Sequence, residues 1–423
     1  MVSETQSARP IRQALGALRP QRAGVVYAFI AIVVIFEILT NAQGLPSFLQ
    51  ISNVRNVLDE AALDGILVVS MTALLITGNF DLSVGATAGL AAAAGLKVAN
   101  VDGVALGTLA AVGVGLGAGL ANGILVQTVG VNAFIVTLGS YTFLQGLLLM
   151  LTNGNTILAT SGQFGSIGTG TWTVPQVVVI VIGVAFIAYA LARARRAGSP
   201  PGRAIVDGNT IGGIVAGVLL IVVAVAIPGL MTQNRDTWIM LAYMSVAALV
   251  LRFTVLGRRV YAVGGNSESA RLSGINVSAY KIGAFVLTSV SASLAGMIYA
   301  GKFGAVEPTA LVNEELPVLA AAILGGTSLF GGSGYVTKSV VGTLILASLT
   351  VGFNVLNVGS NYQYLVQGAV IIAAAAVYTV ASRNRRRVRA TSPSVSEPAT
   401  ATPAAEAPPE AAAQAGTVSL TER

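Results

Sequence analysis

Cysteine and histidine are both absent from the 423 residues. Their absence excludes disulfides, cysteine nucleophiles, histidine general bases and metal sites built on either residue. Charge is scarce as well: Asp, Glu, Lys and Arg make up 10 % of the chain, against roughly a quarter in soluble domains. With 54 % hydrophobic residues and a mean hydropathy of +0.78, such a chain is expected to sit in lipid. No GxxxxGK[ST] stretch occurs, which excludes the usual ATP phosphate loop. Neither an acid pair nor a nucleophile–base pair is evident, so no catalytic residue, metal site or cofactor is expected. The net charge of +7 does not argue for nucleic acid, because the basic residues cluster beside apolar segments, where they set membrane orientation. A cleavable signal peptide is not expected either. Residues 1–23 are polar, and the first apolar run is long enough to span.

What the chain has instead is long apolar runs and 49 glycines, a composition suited to closely packed membrane helices. At roughly 20 apolar residues per helix, spans are expected at 24–40, 61–77, 82–98, 103–127, 131–151, 173–192, 209–230, 236–256, 278–300, 316–332, 337–357 and 362–381. The third and tenth are short and broken by glycine, as half-helices or re-entrant segments are, so ten to twelve spans is the expected range. The predicted fold is an all-α, polytopic membrane helical bundle. It has a cytoplasmic lead at 1–23, a transmembrane domain at 24–381 and a basic, then disordered, cytoplasmic tail at 382–423. Arg9, Arg12, Arg19 and Arg22 mark the lead. Twelve spans with the N-terminus inside put RARRAGSPPGR, GRR with Arg271, and RNRRRVR in the cytoplasm, and Glu307, Glu314 and Glu315 with a single Lys302 outside. That distribution agrees with the positive-inside rule. After Arg389 the chain is dominated by Ala, Pro, Thr, Ser and Glu and cannot bury enough surface to offset its entropy.

Several stretches interrupt the apolar pattern. In YAVGGNSESARLSGINV, 261–277, Gly264 and Gly265 end one element and Asn266 is a favoured N-cap. Glu268 falls in the first turn, Arg271 lies three residues on, and Gly274 closes the helix in a left-handed conformation. A two-turn helix is marginal alone and normally needs a partner surface; a solvated connector is the other reading. In TGNFDLSVGATAGLAAAAGL, 77–96, Asp81 stands between apolar segments, where an ionisable group is costly. It caps the following helix, lines a translocation path with Ser83, or does both. Gly85 and Gly89 form a GxxxG, which is read as helix packing. In GVGLGAGLANG, 113–123, Gly115, Gly119 and Gly123 recur every four residues and make one smooth helix face. The GxGxxG spacing and a preceding strand are missing, so this is not a dinucleotide loop. Asn122 and Gln127 either line a passage or bond to neighbouring helices. In ELPVLAAAILGGTSLFGGSGYV, 315–336, Pro317, two glycine pairs and hydroxyls including Thr327 and Ser328 break the run. Irregular backbone at membrane depth is tolerated only when buried in protein or facing a cavity. The stretch is therefore a cavity-lining or moving element, or a static kinked helix.

These stretches resemble, in order and over about residues 50–380, the permease subunits of carbohydrate-uptake ABC transporters of the ribose/xylose/galactoside class. TGNFDLSVG is similar to the family's GxIDLSVG, with Phe80 where Ile is usual. FIVTLGSY, 134–141, is similar to FIvTLGt. GRRVYAVGGNSESARLSGINV is similar to GRxxyAiGGNxeAArlSGIxV, with Ser269 where Ala is common, and AAAILGGTSLFGGSGYV to aAaxLGGtSlfGGxGxv. Three spans lie between Gly170 and the following GR, where shorter ribose-type permeases have room for about one; this resembles the xylose-type branch. The resemblance implies import of D-xylose or a related monosaccharide by alternating access across a bacterial plasma (inner) membrane, with both termini cytoplasmic. ATP hydrolysis is implied on a separate ABC ATPase subunit, into which the helix 266–274 docks; Gly264, Gly265, Asn266, Glu268, Arg271 and Gly274 are the implied coupling residues. The other implied partners are an extracellular or periplasmic sugar-binding protein, a second permease copy and the lipid bilayer. The residues by themselves leave an alternative, an ion-coupled secondary transporter that uses Glu37 and Asp81. A passive channel lacks any recognisable filter sequence.

Overall fold

The computed structural model describes residues 20–160, 168–196, 208–359, 361–363 and 365–373. The expected lead up to residue 19 and the expected tail lie outside the described residues. Among the described residues the named helices are α1 (Pro20–Ala42), α2 (Ile51–Ile76), α3 (Val84–Asp102), α4 (Val104–Ile124), α5 (Ala133–Thr152), α6 (Gln176–Arg196), α7 (Gly208–Ala226), α8 (Arg235–Phe253), α9 (Val255–Gly265), α10 (Ser267–Leu272), α11 (Val277–Phe303), α12 (Glu315–Leu324) and α13 (Val336–Val355). The backbone is helical again at 361–363 and 365–373. Among the described residues, eight helices are long and apolar enough to cross a membrane: α1, α3, α4, α5, α6, α8, α11 and α13. The result is a polytopic helical bundle with four strands of two or three residues: β1 (Ile157–Leu158), β2 (Thr171–Thr173), β3 (Thr232–Asn234) and β4 (Ala305–Val306). β1 pairs antiparallel with β4, and β2 with β3.

α2 and α11 form the centre. They run antiparallel, since Thr288 Oγ1 donates to Ser70 O while Lys302, near the end of α11, reaches Asp59, near the start of α2. From Gly65 to Ile76 every residue of α2 is buried. α3 and α4 pack on α11, and α12 and α13 pack on α2; α3 also packs on α4, and α12 on α13. The chain thus repeats one unit in inverted sense: long helix, irregular segment, shorter helix, returning helix. In the first copy the irregular segment is 77–83, and in the second it is 304–314. The first turns of α3 pack on the last third of α11, where Gly296 lies against the Ala88 carbonyl.

Several expected boundaries move: the expected span 61–77 begins at Ile51, and the expected span 209–230 is α-helical only to Ala226. The expected span 316–332 is helical only to Leu324, because the chain turns at Gly325 and Gly326, the latter at φ +84°. The expected span 236–256 ends at Phe253, where the Thr254 hydroxyl caps a new helix, α9, by accepting from Gly257 N at 3.2 Å. α6 and α7 pack on each other through Gly183 and Gly217, each of which lies against the other's carbonyl. This hairpin is tied to the rest through β2–β3 and through an edge-to-face pair of Tyr189 and Phe253, with centroids 6.2 Å apart.

Candidate functional site

At the α10 end of the bundle, three glycine-bearing segments converge. A side chain at Gly264 would collide with Ile76 O, at the end of α2, and would meet Gly332 N at 2.8 Å. A Cβ at Gly331 would meet Gly264 O at 2.7 Å and Gly78 at 2.9 Å. Gly332 N donates to Ile76 O at 2.9 Å, and the Tyr261 hydroxyl donates to Gly334 O at 2.8 Å. The helix α9 is therefore seated directly on the end of α2, just before the stretch 77–83, and on the irregular stretch 325–335. Asn266 caps α10, its side chain accepting from Ser269 N at 2.9 Å. Gly274, at φ +79°, ends it. Arg271 pairs with Glu268 at 2.6 Å, both side chains about two-thirds exposed. The guanidinium holds the Glu268 carboxyl below its ordinary value, and the carboxylate raises Arg271. So exposed a pair adds little stability. Gly265 has nothing nearer than 4.0 Å. Leu272 is 76 % and Phe330 92 % exposed at this end.

Asp81 is fully buried. Its carboxylate accepts from Ser83 N at 2.8 Å and from Ser83 Oγ at 2.6 Å, which turns the chain into α3. Asn122 Nδ2 lies 3.4 Å from it and 2.9 Å from Ser83 Oγ, and Ser140 Oγ donates to Asn122 Oδ1 at 2.5 Å. Three helices, α3, α4 and α5, are thus joined by one polar network. Gly115, Gly119 and Gly123 do form a single face, against Ser289 and Ser293, Phe285 and Val286, and Ile282 of α11. Gly85 and Gly89 lie against the Leu311 and Ala310 carbonyls of the segment before α12, and Gly89 also against the Leu148 side chain of α5. Gln127 is half-buried in a π-helical turn, Leu125–Val129, that continues α4. Thr327 is buried with its hydroxyl 3.1 Å from Ser339 Oγ, and Ser328 N donates to Ser333 O. The six expected pathway residues therefore fall in separate places: Asp81, Ser83 and Asn122 together, Thr327 and Ser328 beyond α12, and Gln127 apart.

Sequence reasoning passed over the charged residues on the α2 side. Lys302 Nζ bridges Asp59, at 2.8 Å, and the buried Asp236, at 3.1 Å, so α2, α8 and α11 share one cation. Asp64 lies inside an expected span and meets the same criterion that singled out Asp81, an ionisable group among apolar neighbours. Among the described residues, no group of acids is arranged to hold a metal ion.

A family model for "Branched-chain amino acid transport system / permease component" matches residues 53–375. The chain is similar to the xylose transport system permease protein XylH of Escherichia coli K12, 33 % identical over 388 residues, covering 85 % of this chain and 92 % of that protein. It is also similar to the ribose import permease protein RbsC of Escherichia coli K12, 31 % identical over 355 residues, covering 83 % and 92 %. The RbsC of Bacillus subtilis is 32 % identical over 358 residues, covering 84 % and 91 %. No solved structure matches the chain.

Proposed function

The chain belongs to the family of branched-chain amino acid transport system permease components, and from that premise we propose that it is the membrane-spanning subunit of an ATP-driven, binding-protein-dependent importer of D-xylose or a related monosaccharide. The sugar class is supported by similarity to relatives named for xylose and for ribose. The inserted hairpin α6–α7, in the region that resembles the xylose-type branch, favours xylose within that class.

The observation that carries the mechanism is the seat of α10. This helix sits at the bundle's surface, too short to be stable without its caps and a supporting surface. Through Gly264 and Tyr261 its neighbour α9 rests on the end of α2 and on the irregular stretch 325–335. A separate ABC ATPase subunit docks on α10 from the cytoplasm. Its ATP-driven movement reaches both repeats at once, since each repeat contributes one stretch of the seat. Alternating access needs an element with two discrete arrangements that the partner biases, and packed glycine backbones between two inverted repeats supply one. A sugar-binding protein delivers the sugar at the opposite end, and a second copy of the permease completes the assembly. The ion-coupled alternative gains no support: Glu37 is engaged by Asn41, Ser47 and Leu49 N, and Asp81 by Ser83 and Asn122.

Uptake of labelled D-xylose by cells with and without the chain tests the reading. Chain-dependent uptake that survives collapse of the proton gradient and fails on ATP depletion is the expected result. Uptake that follows the gradient while ATP stays normal overturns it.

A further inference from the structure

α6 and α8 run parallel at one corner of the bundle, since Tyr189, near the end of α6, packs edge-to-face on Phe253, at the end of α8. Between them lies a cleft of about 590 Å³. α6 lines it with Ile182, Ala185, Phe186 and Tyr189, and α8 lines it chiefly with Leu249 and Phe253. Its walls are almost wholly apolar, and Phe186, Tyr189, Leu249 and Phe253 stay about half exposed, so the cleft opens outward. The Thr254 hydroxyl at its end is already engaged, donating to Val250 O at 2.7 Å and accepting from Gly257 N. The volume falls within the roughly 300–1,000 Å³ of ligand cavities.

Cations stand where the cleft ends. The Arg252 guanidinium lies 5.6 Å from the centre of the Phe253 ring, one of the cleft's own walls. On α6 the lining positions 182, 186 and 189 follow helical spacing, and the next position on that face is Arg193, one turn beyond Tyr189. Both arginines are exposed, and among the described residues neither is paired with an acid. A basic residue in a helix's last turn complements the dipole by itself. The dipole does not account for a ligand-sized cleft that ends at two such residues from different helices.

Water finds no partners between apolar walls, and helices in lipid have no hydrophobic drive to close on each other. An unfilled wall forgoes its dispersion contacts, so the occupant that fits is a long apolar chain. The cations at the cleft's end add an anionic group to that chain, as basic pockets between membrane helices do for lipid head groups. We propose that the cleft between α6 and α8 binds an anionic phospholipid, with an acyl chain along Ile182, Phe186 and Leu249 and its phosphate at Arg193 and Arg252. This site requires that the bundle span a bilayer, and it stands whether or not the importer reading does.

The test uses the full chain reconstituted in phosphatidylcholine vesicles, with Phe186→Trp as a fluorescent reporter in the cleft. Phospholipids with brominated acyl chains quench the reporter on contact. Quenching by brominated phosphatidylglycerol is compared with quenching by brominated phosphatidylcholine, after subtracting the signal of the chain that lacks the reporter. The expected result is a preference for phosphatidylglycerol that falls about fivefold in R252Q, and about fivefold in R193Q, and that R252K keeps. Leu249→Trp, on the facing wall, gives the same reading where Phe186→Trp fails to fold. Equal quenching by the two lipids overturns the site. So does a preference that stays within about twofold of its starting value in both glutamine variants. The chain has no cysteine, so Leu249→Cys carries a single thiol; a disulfide-linked dimer on mild oxidation in the vesicles places a second copy in the cleft and overturns the lipid as its occupant.

Discussion

Gly264 has room for no side chain, because Ile76 O and Gly332 N occupy the position of its Cβ. Both obstacles are backbone and cannot rotate away. Gly264→Ala is therefore expected to destabilise the protein by about 1–3 kcal/mol, the usual range for overpacking, and to separate α9 from the stretch it rests on. Gly265→Ala, one residue along and with nothing nearer than 4.0 Å, is the control and is expected to be neutral. Thermal unfolding of the two purified variants checks this; equal melting temperatures would remove the seat described above. Asn122 offers a comparable case. Asn122→Ala leaves the buried Asp81 and Ser140 each short of a partner, and a loss of about 1–3 kcal/mol is expected. The same unfolding measurement reads it, with Gln127→Ala, on the half-buried π-helical turn, expected to cost less.

Elements differ in how far their roles could be read from residues alone. α10 was legible because its signals are local: Asn266 to cap, Glu268 and Arg271 to pair, Gly274 to stop. The glycine face of α4 was legible because a four-residue period is local too. The carbonyls on which Gly85 and Gly89 also pack were not, because they lie more than two hundred residues away and no spacing encodes them. The seat of α9 was hidden for the same reason. For α4, Gly119→Leu is expected to prevent packing on α11, where Val286 lies against Gly119, whereas Gly113→Leu, with open space beside it, is expected to be accepted. The yield of folded protein from membranes distinguishes them. For α10, the lowered value of Glu268 sets a sign. The carboxylate's contribution is present above the ordinary glutamate value, about 4.3, and is lost only as pH falls through its lower value in the folded state. Affinity for the ATPase is therefore expected to be flat across the neutral range. Arg271→Glu places two acids at i and i+3 and is expected to abolish uptake while the amount in the membrane stays unchanged. Normal uptake at normal protein level would separate α10 from coupling.

At the scale of the whole molecule, the inverted repeat and the inserted hairpin divide the work. α2 with α3 and α4, and α11 with α12 and α13, interlock so that each repeat packs on the other's long helix. The hairpin α6–α7 stands apart from that exchange. Thr173 pairs with Thr232, and Val174 N donates to Met231 O at 3.0 Å, so the chain leaves the body and returns to it at adjacent points. Joining 173 directly to 232 through an Asn-Gly turn makes β2 and β3 a two-residue hairpin, for which that dipeptide is the favoured connection. The excision uncovers Phe253 and Leu249, which are apolar and which lipid receives without penalty, there being no hydrophobic drive between helices in a bilayer, and it removes the Gly229 carbonyl that accepts from Arg55 Nε at 3.1 Å, a loss of about 1 kcal/mol. The shortened chain is expected to insert and to unfold within about 4 °C of the full chain. Its ATP-driven uptake is expected to persist, because α10 and its seat are untouched. A shortened chain that fails to fold would make the hairpin part of the core; one that folds but imports nothing would place the hairpin in the transport cycle.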